Sequence, residues 1–272
     1  MEPLEKVVER IKSVKVQGAK EIALYSLNYL KKFCKKYGFG LKFEVACMIL
    51  ENARPTAVVL HNCLEILKKK RSLKTIDKLI KELEVATKKI SVNGQKIVKN
   101  GSKILTHCHS GEALSIIKEA KRKGKEISVF ATLTRPLKQG IKTAKELARE
   151  KIPVTLAEDI AVGHLIQHVD MVIIGSDAMR KEGFVNKVGT WLIAEEARRH
   201  KKPVYVVGSH FKFDSRKKFV LEERPAKEIW PKPIKGVKIR NPAFDLVPWK
   251  YVTRVITDEG IFKPEEIVRM IR

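Results

Sequence analysis

From residue 102 onward, short apolar runs alternate with amphipathic stretches of helical period, and no other feature restricts the fold as much. The apolar runs at 103–106, 127–132, 153–156, 171–174 and 203–207 are expected strands, and helical patterns fill 111–123, 139–150, 160–167 and 188–200. Parallel strands joined through helices need right-handed crossovers, which place helices on both faces of a mostly parallel sheet. Residues 252–257 read as a last strand and 264–271 as a last helix.

Residues 2 to 98 follow a different grammar. Leu4, Val7, Val8 and Ile11 recur at helical spacing, as do Ile22, Leu24, Tyr25, Leu27 and Leu30. Pro55 disfavours helix at Arg54 and suits the start of the next one. The expected architecture is α/β overall, with a helical N-terminal domain over 1–100 followed by an α/β domain over 101–272. No apolar stretch approaches the roughly 20 residues of a membrane-spanning helix. The first five residues lack the layout of a secretory signal, so the expectation is a soluble cytoplasmic protein without a membrane partner. Cys34, Cys47, Cys63 and Cys108 lie far apart with no metal-ligand spacing.

The net charge of +25 fits a lysine-rich solvated surface, an anionic small substrate or a nucleic acid. The lysines are spread along helix faces, and no aromatic residues are interleaved with them as a base-stacking platform requires. A solvated surface therefore ranks first, attraction of a phosphorylated substrate second and nucleic acid last.

In an open parallel sheet, ligands bind outside the carboxyl ends of the strands, where strand order reverses. After the first expected strand come His107, Cys108, His109 and Ser110; after the second, Thr134, Arg135, Pro136, Gln139 and Gly140. Glu158 and Asp159 follow the third, and Gly175, Ser176 and Asp177 the fourth, ahead of the 186–190 stretch. Gly208, Ser209, His210 and Lys212 follow the fifth. The reactive residues of the α/β half thus gather on one edge.

Each has an ordinary reading too. Cysteine statistics favour an inert thiol at Cys108, whereas its place before a helix start, whose amides lower a thiol pKa from about 8.5, favours a reactive one. His107 and His109 would add positive charge beside it. Ser110 is a good N-cap, and the amides of Gly111, Glu112 and Ala113 would form an anion cradle. The Glu112 carboxylate would repel an anion there unless it turns outward to complement the helix dipole. Asp177 is a loop or N-cap aspartate, or a functional carboxylate at the sheet edge. Asn186, Lys187, Gly189 and Thr190 form an ordinary cap or an anion site. Arg54 and Arg135, each before a proline, suit a forked grip on phosphate. No glycine-rich dinucleotide fingerprint or Walker loop occurs, so the expected chemistry uses neither metal nor cofactor.

Five stretches in order carry a resemblance: Arg54-Pro55-Thr56-Ala57-Val58, Thr106-His107-Cys108-His109-Ser110, Thr134-Arg135-Pro136 with Gln139-Gly140, Asn186-Lys187-Val188-Gly189-Thr190 and Asn241-Pro242-Ala243-Phe244-Asp245. Together they resemble the superfamily of methylthioribose-1-phosphate isomerase, archaeal ribose-1,5-bisphosphate isomerase and the regulatory subunits of translation initiation factor 2B. The His-Cys-His-Ser version is most like the bisphosphate enzyme. The resemblance implies a Rossmann-like second domain and an aldose–ketose isomerase acting on a phosphorylated sugar, ribose 1,5-bisphosphate. It implies Cys108 and Asp177 as the catalytic pair. Substrate contacts would fall on Gln17, Gly18, Ala19, Lys20, Arg54, Ser110, Gly111, Glu112, Arg135, Asn186, Lys187 and Lys212.

Some positions depart from the family pattern. Its Arg-Gly-Ala-Gly segment reads Gln17-Gly18-Ala19-Lys20, the Glu before Thr-Arg-Pro is Leu133, and Gly-Ala-Asp has become Gly175-Ser176-Asp177. A homo-oligomer, at least a dimer built through the α/β domain and up to a trimer of dimers, is also implied. The alternatives are methylthioribose-1-phosphate isomerase, which needs an apolar pocket for a thioether, and a non-catalytic regulatory subunit. The regulatory subunits generally do not keep both catalytic residues.

Overall fold

The computed structural model describes residues 2–13, 15–16, 18–217, 219 and 221–271. They form two compact units, Met1–Thr87 and Lys88–Arg272. The change of sequence grammar falls near residue 100, whereas the compact units divide earlier, inside a long helix.

The first unit contains α1 (Leu4–Lys12), α2 (Ala19–Tyr37), α3 (Leu41–Ala53), α4 (Val58–Lys69) and the start of α5 (Leu73–Gly94). Leu27 and Leu30 of α2 and Leu60 and Leu64 of α4 are fully buried where those helices pack. Each such side chain contributes about 1.5–3 kcal/mol. Helix α3 stops at Ala53, one residue before the pre-proline Arg54, as the restricted backbone there requires. Cys34, Cys47 and Cys63 are buried, and burial pushes their thiols up to about 11, 12 and 12.

In the second unit, β1 (Lys103–Thr106), α6 (Gly111–Arg122), β2 (Ser128–Thr132), α7 (Gln139–Arg149) and β3 (Val154–Ala157) come first. Then follow α8 (Val162–Leu165), β4 (Met171–Gly175), β5 (Ala178–Met179), β6 (Gly183–Lys187), α9 (Thr190–Arg199) and β7 (Val204–Val207). The last elements are β8 (Phe244–Pro248), β9 (Arg254–Ile256), β10 (Ile261–Phe262) and α10 (Pro264–Met270). The seven-stranded sheet runs β10-β9-β7-β4-β1-β2-β3, parallel except for β10 against β9. Successive residues feed opposite cores, as the strand period of two demands. Leu105, Val172, Ile174 and Val206 enter one core with Ile193 of α9 and Ile267 of α10. Ile104, Ile173 and Val207 enter the other with Ile117 of α6 and Leu147 of α7. Chain order reverses between β1 and β4, which are hydrogen-bonded neighbours.

A second, antiparallel sheet of β5, β6 and β8 departs from the sequence reading. Residues 183–187 lie outside the expected strands and form β6, pairing Asn186 with Asp245 and Lys187 with Phe244 of β8. The run is short and ends polar, and its partner is remote in sequence, so periodicity does not reveal it. The helix expected from 188 starts at Thr190, because Gly189 takes a left-handed φ of 99°. The helix expected over 160–167 shrinks to α8 between tighter turns. Among the described residues, no helix is long and apolar enough to cross a membrane.

Candidate active site

Cys108 follows β1 and Asp177 follows β4, so the two residues flank the point where strand order reverses. They interact electrostatically, and Lys187 at the end of β6 acts on the same thiol. Sequence reasoning placed all three on one edge, and the fold brings them together.

Cys108 is held from three sides in a left-handed backbone conformation, φ 68°. Its N–H donates to Thr134 Oγ1 at 2.9 Å, its carbonyl accepts from Thr143 Oγ1 at 2.8 Å, and its thiol donates to Gln139 Oε1 at 3.4 Å. A non-glycine residue keeps such a conformation only where its surroundings over-determine it. The residue is half-buried, yet its surroundings are dry enough that burial pushes the thiol up to about 11. Lys187 pulls it down; Asp177 and Asp159 push it up. The expected lowering by the helix start is therefore overridden: the cysteine sits two residues before the N-cap, and desolvation favours the neutral thiol.

The flanking histidines do not supply the expected charge either. His107 is buried between Thr132 Oγ1 and the Val188 carbonyl, which accepts from Nε2 at 2.9 Å, and burial pushes its pKa down. Burial and Lys142 push His109 down as well. Burial disfavours the charged form of both rings.

Ser110 caps α6 by accepting from the Ala113 N–H at 3.3 Å. Gly175 lies against it so closely that a Cβ there would fall 2.3 Å from Ser110 Oγ. Only hydrogen fits between the ends of β1 and β4. Glu112 neither turns outward nor points into the helix start. It is buried, ion-paired to Lys212 and accepts the Ser209 N–H at 3.2 Å. Lys212 thus meets a carboxylate of its own chain in this structure.

Asn186 donates to Thr190 Oγ1 at 2.9 Å, and Lys187 lies over the Phe244 ring, 4.8 Å from its centroid. The start of α9, read as a possible anion cradle, is occupied: Asp245 accepts from the Gly189 and Trp191 N–H groups, each at 2.9 Å. Arg135 is exposed and lines a small cleft with Gln139, Lys187, Arg224 and Asn241. In the first unit, Gly18 caps α2 with φ 91°, Ala19 opens that helix, Lys20 donates to Thr87 Oγ1 at 2.8 Å, and Arg54 follows α3. Gln17 lies outside the described residues.

The sequence puts Thr134 and Asp159 on the reactive edge and Asp245 in a resembling stretch without giving them a supporting role, and Thr143 is the residue it does not single out. A threonine or aspartate beside a strand end is the visible signal, but it does not distinguish a clamp from an ordinary turn. Among the described residues, no group of three or more His, Cys, Asp or Glu side chains is placed to share a metal ion.

The model of the initiation factor 2 subunit family matches residues 15–264. The chain belongs to that family. Among curated relatives, ribose 1,5-bisphosphate isomerase of Archaeoglobus fulgidus is 38% identical, over 97% of this chain and 91% of the relative. Methylthioribose-1-phosphate isomerase of Pelotomaculum thermopropionicum is 34% identical, over 95% and 82%. Among solved structures, translation initiation factor eIF-2B of Pyrococcus horikoshii OT3 superposes with a TM-score of 0.87 at 26% identity, covering all of both chains. The α/β architecture is thus that of the family.

Proposed function

We propose that this chain is a sugar-phosphate isomerase converting ribose 1,5-bisphosphate to ribulose 1,5-bisphosphate, with Cys108 and Asp177 as its acid/base pair. The observation that carries this reading is the placement of that pair on either side of the β1/β4 switch point, with Lys187 in electrostatic reach of the thiol. Relatives of that name at 32–38% identity over nearly the whole chain support it.

A phosphate on the C1 oxygen prevents simple ring opening to a free aldehyde. The ring must open as C2 loses its proton. In this reading the Cys108 thiolate removes that proton, the C1–ring oxygen bond breaks, and Asp177 protonates the departing ring oxygen. The product is an enol phosphate with a C1–C2 double bond. Cys108 then returns the proton to C1 while Asp177 takes the proton of the C2 hydroxyl, leaving the ketone. Thiolate plus carboxylic acid carries the same net charge as thiol plus carboxylate, so readying the pair moves one proton and adds no charge. Each acid/base group would supply roughly 10²–10⁴ in rate. Arg135, Lys187, Lys212 and the Ser110–Glu112 turn would hold phosphate oxygens, and a phosphate at Lys212 would compete with Glu112.

The test is turnover of ribose 1,5-bisphosphate and of methylthioribose 1-phosphate by wild type, Cys108→Ser and Asp177→Asn. Loss of bisphosphate turnover in both variants is expected. Wild-type rates in both would sink the mechanism, and preference for the thioether sugar would favour the second isomerase. A protein that turns over neither sugar would favour a non-catalytic subunit.

A further inference from the structure

Asp159 opens the turn after β3, and its carboxylate spans two successive amides: Oδ1 accepts from Thr134 N–H and Oδ2 from Arg135 N–H, both at 2.7 Å. Thr134 has φ 62° and is fully buried. A β-branched residue in that region is a genuine outlier, and it needs partners that fix it. The same threonine's Oγ1 accepts the Cys108 N–H and donates to the Thr132 carbonyl at 3.2 Å. Two adjoining strand ends thus each carry a left-handed non-glycine residue, and one carboxylate outside them closes the linkage. We propose that Asp159 is a positioning residue, whose two-pronged grip on the Thr134–Arg135 turn sets the backbone conformation of Cys108. This rests on the reading of Cys108 as the carbon acid/base.

Asp159 has a second, opposing effect, because its charge also disfavours the Cys108 thiolate, with Asp177 acting in the same sense and Lys187 against both. The two effects separate on substitution. Asp159→Asn keeps one acceptor oxygen but turns a donor toward the second amide, so half of the grip is lost together with the charge. A purely electrostatic residue would, when neutralised, leave the thiol more reactive and the enzyme no slower. A positioning residue leaves it easier to ionise and the enzyme slower. Misplacement of a reacting group by about 1 Å can cost on the order of 10²-fold in rate.

The experiment measures kcat and KM for ribose 1,5-bisphosphate alongside the pH dependence of iodoacetamide alkylation at Cys108, followed by peptide mass. For Asp159→Asn the expectation is a kcat lower by about 10-fold or more, a little-changed KM, and an alkylation midpoint below that of wild type. Asp159→Glu, which keeps the charge but not the reach, should lose rate without that fall in midpoint. Unchanged kcat in Asp159→Asn while Cys108→Ser is inactive would overturn the proposal. Full activity of Cys108→Ser would instead overturn the reading beneath it. Should Asp159→Asn fail to fold, the pair Thr134→Val and Thr134→Ser decides: the valine variant must be the slower, and equal rates refute the linkage.

Discussion

Replacing Gly175 by alanine tests whether the contact between β4 and the start of α6 sets the spacing of the catalytic pair. The added methyl would lie 2.3 Å from Ser110 Oγ and 2.5 Å from Ser110 Cβ, where ordinary contact begins near 3.4 Å. Rotating the hydroxyl relieves the first clash but not the second, so the Ser110 backbone must retreat by about 1 Å, an overpacking that typically costs about 1–3 kcal/mol. Removing glycine from a strand returns about 0.5–1 kcal/mol, so the net loss of stability is at most about 2.5 kcal/mol. Ser110 is two residues from Cys108, and a shift of that size in a reacting group costs on the order of 10²-fold in rate. Gly175→Ala should therefore stay folded, with a modestly lower denaturation midpoint and a severely reduced kcat. Combining it with Ser110→Gly removes the opposing atoms and should recover much of the rate in a double-mutant cycle. A single variant within about two-fold of wild-type kcat, or a double variant no better than the product of the singles, would refute the reasoning.

Three further outcomes are expected. Asp245→Ala uncaps α9 and should lower unfolding free energy by about 1 kcal/mol, with Asp245→Asn less affected, as read by urea denaturation. Lys187→Met removes the cation that favours the Cys108 thiolate, so alkylation of that cysteine at a fixed pH should slow and its midpoint rise above that of wild type. Burial pushes the Cys34 and Cys108 thiols up to about 11 in the folded chain, against about 8.5 for an unperturbed thiol. The folded state therefore holds those protons more tightly. Their contribution is complete below about pH 8.5 and is lost as pH rises toward 11. Urea midpoints across that window should fall, and less steeply in Cys108→Ala.

The parallel sheet was legible because its strands are apolar runs separated by helical periods. Five strands and the helices 111–122 and 139–149 lie within a residue or two of where the pattern puts them. The small antiparallel sheet was not, since β5 has only two residues and β8 pairs with a strand far earlier in the chain. At the site, sequence position alone sufficed to put Cys108, Asp177 and Arg135 on one edge. Electrostatics was harder to read. At Cys108 the favourable dipole of a helix start is visible in sequence, whereas the desolvation that outweighs it depends on the folded surroundings. Glu112 was weighed only against the helix, because its partner Lys212 comes from a strand end on the far side of β4.

Lys187 and Asn186 sit on β6, not in a loop, and side chains on a strand alternate between faces. Sliding β6 by one residue along β8 would exchange every neighbour and move the ammonium away from the thiol. The turn at Lys181 and Glu182 joins β5 to β6 and helps fix the register that carries Lys187 to the thiol. A one-residue insertion there would act as an electrostatic mutation while altering no charged residue.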